Sequence, residues 1–311
     1  MHAKLTRMKT IDSERLALAE RFVWSSARVL ERRRFERLFR AGAAAPVLTA
    51  LRAYQNADGG FGHAIEPDFR GPISQPLGAD IALRLLEELG EHDSAIVDGV
   101  VSFVIANTTA DGGVPNVLPS AKAFPRAPWW EPASDDPDGS LYPTASLAGV
   151  LHALRIEHRW LEGADRFCWD ALGRLLEQAG QATERVQRIG VAYQARAALV
   201  FLDRVADRAR AEQAAVDLGR ALSSAGLISA SESAETAPLT FAHAPDTLAR
   251  RWFDDALIEK QLDDLIAAQA ADGGWTVPWP IWAPVTELEW RGVLTVESLK
   301  TLRAYGRLTT R

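Results

Sequence analysis

The chain has 311 residues with a formal net charge of −6, 47% hydrophobic and 24% charged residues and a pI near 5.6. That balance supplies a large apolar core and leaves no basic footprint for nucleic acid, since Arg32-Arg33-Arg34 is short and interleaved with Glu. One cysteine, Cys168, excludes an intrachain disulfide framework and a cysteine metal cluster. With no apolar leader in the first residues and no membrane-length apolar run, the expected location is cytoplasmic, with peripheral membrane contact and oligomeric state left open.

Apolar periodicity places helices in chain order. Leu16, Ala19, Phe22, Val23, Ala27 and Leu30 make a one-sided helix over 14–30, with Asp12 or Ser13 as cap. Helices follow over 43–54, 75–89, 95–106, 142–155, 167–178, 187–205, 210–223, 246–254, 256–269 and 291–305. Four connections stand out: 62–75, rich in Pro, Gly and ionisable residues; 114–142, about thirty residues with Pro, Trp and Asp; the Ser/Thr-rich 229–246; and the aromatic 275–291. Loops as long as the second are usually functional or disordered, and the paired indoles Trp129-Trp130 argue against disorder.

One stretch organises the chain. Gln55-Asn56-Ala57-Asp58-Gly59-Gly60-Phe61 returns as Gln269-Ala270-Ala271-Asp272-Gly273-Gly274-Trp275, with a weaker copy at Asp111-Gly112-Gly113. The Asp positions 58, 111 and 272 are 53 and 161 residues apart, and 161 is close to three times 53, as expected of a repeat with worn copies. Gly pairs end a helix through a left-handed turn, the aromatic can pack back on that helix, and the Gln amide can tie orphan backbone groups. The motif is therefore structural, and no catalysis is placed on Gln55 or Gln269.

These residues resemble the Gln-Trp repeat of the terpenoid cyclase and protein prenyltransferase superfamily (prenyltransferase and squalene oxidase-type repeats). The resemblance runs from Val47 to Tyr305 and implies an all-α fold: one (α/α)5-6 toroid domain over residues 1–311, with inner and outer helices. Six segments are expected inside: 14–30, 75–89, 142–155, 187–205, 246–254 and 291–305. In such a ring the four loops named above gather at one mouth. The family's protonating motif, Asp-x-Asp-Asp before Thr-Ala, is matched only by Thr144-Ala145, and neither Asp135-Asp136 nor Asp254-Asp255 is followed by the third acid of a diphosphate-ionising motif.

Six of ten tryptophans lie in these loops, beside clustered acids. The candidate catalytic residues are Asp138, Asp136, Asp135, Glu66, Asp68, His63, Glu287 and Glu289, and the candidate wall is Trp129, Trp130, Tyr142, Tyr193, Trp275, Trp279, Trp282 and Trp290. Glu287 and Glu289 would share a side if their segment is extended. Asp-Asp-Pro-Asp-Gly at 135–139 is also the composition of an ordinary exposed turn. Aromatic walls with carboxylates suit terpene-cyclase-like, proton-initiated cyclisation of a prenyl or other small apolar substrate, an isomerase or lyase reaction. They also suit carbohydrate chemistry by a hydrolase, lyase or epimerase, with an acid–base pair. A non-catalytic binding protein whose tryptophans plug its own cavity is the third reading. No metal site is expected, except that Mg2+ would accompany a diphosphate substrate.

Overall fold

The computed structural model describes residues 8–91, 93–228 and 236–309; part of the Ser/Thr-rich loop, 229–235, lies outside them. The fold is all-helical, and its β-pairing among the described residues consists of isolated bridges. The helices are α1 (Ser13–Ser26), α2 (Val29–Phe39), α3 (Ala45–Arg52), α4 (Pro76–Leu89), α5 (Ser94–Ala106), α6 (Leu141–Ala153), α7 (Trp160–Gln181), α8 (Arg185–Leu202), α9 (Arg208–Ser224), α10 (Pro238–Phe241), α11 (Asp255–Ala267) and α12 (Pro284–Ala304). None is long and apolar enough to cross a membrane.

Local chemistry sets the ends. Asp12, Asp93, Asp207 and Asp254 each accept a hydrogen bond from a backbone N–H in the first turn of α1, α5, α9 and α11. Pro76 and Pro284 stand in the first turns of α4 and α12, where a missing N–H costs nothing. Three expectations are corrected. The helix over 14–30 breaks at Ala27 and Arg28, both extended, giving α1 and α2. Over 246–254 the chain forms a short 3-10 turn, Leu248–Trp252. The last helix starts at Pro284, so Glu287 and Glu289 lie on a helix; two residues apart there, they point about 200° apart rather than to one side.

Contacts divide the chain into two compact units, residues 44–241 and residues 1–43 with 242–311. In the first, α4, α6 and α8 pack side by side, while α5 packs on α4, α7 on α6 and α8, and α9 on α7 and α8. Burial follows this layering. In α6, Leu141 and every residue from Pro143 to Leu151 are buried, whereas α9 buries one stripe, Ala211, Ala215, Leu218, Gly219 and Leu222. A Cβ on Gly149 would lie 2.5 Å from the Val200 carbonyl oxygen, so α6 and α8 meet backbone to backbone.

In the second unit, α1 and α2 pack on each other and on α12, which also packs on α11. Buried cations hold polar contacts in this unit: Arg28 binds Glu31, which is 1% exposed, at 2.7 Å, Arg34 binds Glu297, and Arg307, itself 1% exposed, binds Glu259 and Asp263. Although its surroundings oppose ionisation, Lys300 and Arg34 pull the Glu297 carboxyl down to about 2.

The repeated motif is one structure built three times. Gly59, Gly112 and Gly273 all have φ between 85° and 96°. In each copy the Asp side chain accepts from the second Gly N–H: Asp58 from Gly60, Asp111 from Gly113 and Asp272 from Gly274. Asn56, Thr109 and Ala270 each donate to that same glycine's carbonyl. Each turn also presses on a neighbouring helix. A Cβ on Gly59 would lie 2.2 Å from the Gly99 oxygen of α5, one on Gly112 3.1 Å from the Gly163 oxygen of α7, and one on Gly273 2.3 Å from Leu18 of α1. In the last copy the Gln269 amide exchanges hydrogen bonds with Arg15 of α1, at 2.8 and 3.0 Å.

Gly59→Ala must therefore cost much more than Gly90→Ala, since Gly90 has φ 64° but nothing within 4 Å. Denaturant titration should show a loss of about 3 kcal/mol or more for the first and about 1 kcal/mol for the second; equal losses would contradict the turn-on-helix packing.

Candidate functional site

The first motif feeds directly into loop 62–75. Asn56 Nδ2 donates to the Pro72 carbonyl (2.8 Å) and Ser74 Oγ (3.0 Å), Ser74 Oγ donates to Asp58 Oδ1 (2.7 Å), and His63 Nε2 meets Asn56 Oδ1 (2.9 Å). Backbone bonds from Gly62 N to Tyr54 O and from His63 N to Gly71 O close the loop on itself. They hold His63 and Ala64 in consecutive left-handed conformations, φ 55° and 59°, which side chains other than Gly rarely adopt. Exposed His63 is thus a loop fastener.

Loop 114–142 then covers this loop. Phe69 pairs with Arg126, Arg70 N donates to Pro125 O, and Ala127 N donates to Asp68 O at 2.8 Å. The Trp130 ring stacks on Phe69 at 5.1 Å, and Phe124 meets Phe69 edge-on. Gln75, at the start of α4, accepts from Leu118 N at 2.9 Å. The expectation that these loops share a place is met for the two within residues 44–241.

Two carboxyl groups sit in this joint, each served by one of the adjacent indoles. Asp68, 3% exposed, accepts from Trp129 Nε1 at 3.2 Å. Glu66 Oε2 accepts from the Asp68 N–H (2.7 Å) and the Phe69 N–H (3.1 Å), and its carboxyl also hydrogen-bonds the Trp130 side chain. Desolvation by the surrounding protein, and then the charge of Asp68, push the Glu66 carboxyl from its ordinary 4.5 up to about 8 against these hydrogen bonds. Glu66 is nonetheless only part-buried. A carboxyl that solvent can reach and that still holds a proton at neutral pH is a competent proton donor.

Deeper along the same helices lies a second polar group that the loop-centred reading missed. Asp80 of α4, 4% exposed, accepts from Arg84 Nε through both oxygens at 3.0 Å and from Ser146 of α6, while Arg84 Nη2 donates to Ser146 Oγ at 2.6 Å. Gln75, just before α4, binds Leu118, and Ser140, just before α6, pairs with Val114, so the first turns of both helices lie against loop 114–142. Arg84 lies about 12 Å down α4 from Pro76 at 1.5 Å per residue. Tyr142 stands beside Tyr193 of α8 with ring centres 5.7 Å apart, and Arg196 lies over Tyr193 at 5.3 Å. Burial and then Asp80 push the Tyr142 hydroxyl upward, with Arg196 and Arg84 opposing. The available signal was a charged pair, Asp80 and Arg84, four apart on a helix otherwise apolar enough to be read as inner.

The remaining candidates fall elsewhere. Asp135 is 91% exposed and ion-paired to Lys122, whose hydrogen bond and charge lower its pKa. Asp136 and Asp138 are exposed, and Asp138 lines an open recess of about 520 Å³ with Asn116, Glu131, Arg174 and Gln194. Asp135 and Asp136 thus occupy the ordinary exposed turn that their sequence allowed. Trp275 is buried with its indole N–H on the Leu265 carbonyl of the helix just ended, as the repeat requires, so it is filled into the core of its own unit. Trp279 and Trp290 make an edge contact at 5.1 Å in that unit, and the Trp290 N–H is buried without a hydrogen-bond partner. Trp282 and Glu289 are half-buried there, and Glu287 is exposed in the first turn of α12. Among the described residues no group of three or more His, Cys, Asp and Glu could hold a metal ion.

Compared with protein-family models, curated proteins and solved structures, the chain matches none of them.

Linkage gives the site a stability signature. Glu66 binds its proton more tightly folded than unfolded, so its contribution opposes folding increasingly as pH rises from 4.5 and is fully unfavourable above about 8. Glu66→Gln keeps an oxygen for the two backbone N–H groups and removes the charge. Its melting temperature should exceed the parent's at pH 9 and converge with it at pH 4, and an equal difference at both would contradict the shifted proton.

Proposed function

We propose that residues 44–241 carry an acid–base enzyme site in which Glu66 donates a proton to a bound hydroxylated, sugar-like substrate. The observation that carries this reading is the Glu66 carboxyl at about 8, part-exposed beside the charged Asp68. In glycoside chemistry a protonated carboxyl serves the leaving oxygen while a second carboxylate answers the positive charge developing on the sugar ring. Glu66 fits the first role. Asp68, oriented by the Trp129 N–H, fits the second. The Trp129 ring, 48% exposed, offers a stacking face next to both.

The helices that follow these loops favour a polar substrate over a hydrocarbon one. Asp80, Arg84, Tyr142, Ser146 and Arg196 place charges and hydroxyls on α4, α6 and α8, where a prenyl chain would need apolar surface. The second reading, proton-initiated cyclisation of a prenyl substrate, uses the same acid. It is favoured by the exposed Trp129 indole, whose face can stabilise a carbocation, and by the resemblance carried by the repeat.

Leaving-group dependence tests the role of Glu66. In a screen of disaccharides, nitrophenyl glycosides and polyprenyl compounds, the parent should turn over a glycoside, with activity falling on the alkaline side near pH 8. Glu66→Gln should lower kcat on the disaccharide by about 100-fold or more and much less on the nitrophenyl glycoside, whose leaving group needs no proton. Equal losses on both, or full activity, would overturn Glu66 as the acid; turnover of a polyprenyl compound alone would transfer the acid to the second reading.

A further inference from the structure

The geometry points to an oxyanion subsite on the inner wall, where the Arg196 and Arg84 guanidinium groups together bind a carboxylate or phosphate group carried by the substrate. The inference rests on the reading of residues 44–241 as a substrate site and names the substrate's class: acidic rather than neutral.

The charges of the cluster do not balance within it. Asp80 is matched by Arg84, which clasps both of its oxygens through Nε. Arg196, half-buried, has the Tyr193 ring 5.3 Å away as its contact and no carboxylate partner among the described residues. A guanidinium held in a protein wall without an acid is costly unless a ligand supplies one. A contact with a ring face uses none of the guanidinium N–H donors in hydrogen bonds, which leaves them to an oxyanion.

Arg84 is built to assist. Its Nε and Nη2 are committed to Asp80 and Ser146, so the guanidinium is pinned, yet its side chain remains 42% accessible while the surrounding protein still penalises its charge. Tyr142 links the two: it lies one turn before Ser146 on α6, which takes the Arg84 bond, and it packs against Tyr193, over which Arg196 lies. Two neighbouring guanidinium groups suit a planar carboxylate or a phosphate, which accept paired N–H donors, over a neutral hydroxymethyl group that cannot neutralise Arg196.

The test uses the full chain with D-glucuronate and inorganic phosphate as probes and D-glucose as the neutral control, read by calorimetric titration at low ionic strength. Binding of either anion with no measurable binding of glucose supports the subsite, and which anion binds decides between carboxylate and phosphate. Arg196→Gln should weaken that binding at least tenfold, and Arg84→Lys, which keeps the charge opposite Asp80 but loses the fork, should weaken it less. Glu66→Gln should bind the anion as the parent does, so failure of the acid mechanism and failure of the subsite are separate outcomes. Absence of anion binding, binding of glucose with equal strength, or binding unaffected by Arg196→Gln would overturn the subsite.

Discussion

The placement of Glu66 depends on a turn that only glycine can make. Gly59, at φ 85° and pressed on the backbone of Gly99, fixes how α3 gives way to the next segment. Asn56 and Asp58, the flanking residues of the same motif, then take hold of Pro72, Ser74 and His63. Both ends of loop 62–75 are thereby tied to one point, and the strained pair His63 and Ala64 turns the middle of the loop back under residues 124–130. The repeat motif has no chemistry of its own. It supplies the rigidity that lets a carboxyl be desolvated without being sealed.

The electrostatics of that joint follow from its composition. Pro67 stiffens the backbone between Glu66 and Asp68, and the turn points the Glu66 carboxyl at the backbone N–H groups of Asp68 and Phe69. Those bonds favour the anion. Desolvation and the charge of Asp68 favour the acid, and they win because Phe69, Phe124 and Trp130 pack the joint. The two indoles divide the acids between them. Trp129 remains open to a ligand on its face, whereas Trp130 is spent on packing.

The helices and the repeat were legible because both depend on local signals: apolar periodicity, acidic caps and the Asp-Gly-Gly turn. Glu66, Asp68 and Trp129 could be singled out for the same reason, as rigid polar residues concentrated beside prolines. What failed to show was whatever depends on partners distant in sequence. Asp135 and Asp136 have the composition of acids at a site but stand in solvent, while Trp275 has the look of a wall residue and is the repeat's own packing aromatic. Asp80 and Arg84 are four apart on α4, but their meeting with Ser146 and the nearness of Arg196 become visible only once α4, α6 and α8 are side by side. The helical start at Pro284 likewise separated two glutamates that an extended segment would have aligned.

The site stands on Glu66 keeping its proton at neutral pH. Carbon-13 labelling of glutamate and a pH titration of the side-chain carboxyl resonances measure it directly, with the Glu66 signal assigned by its disappearance in Glu66→Gln. The account predicts one carboxyl titrating near pH 8, far above the rest. A Glu66 resonance that titrates near 4.5 would show an ordinary solvated carboxylate and would contradict it.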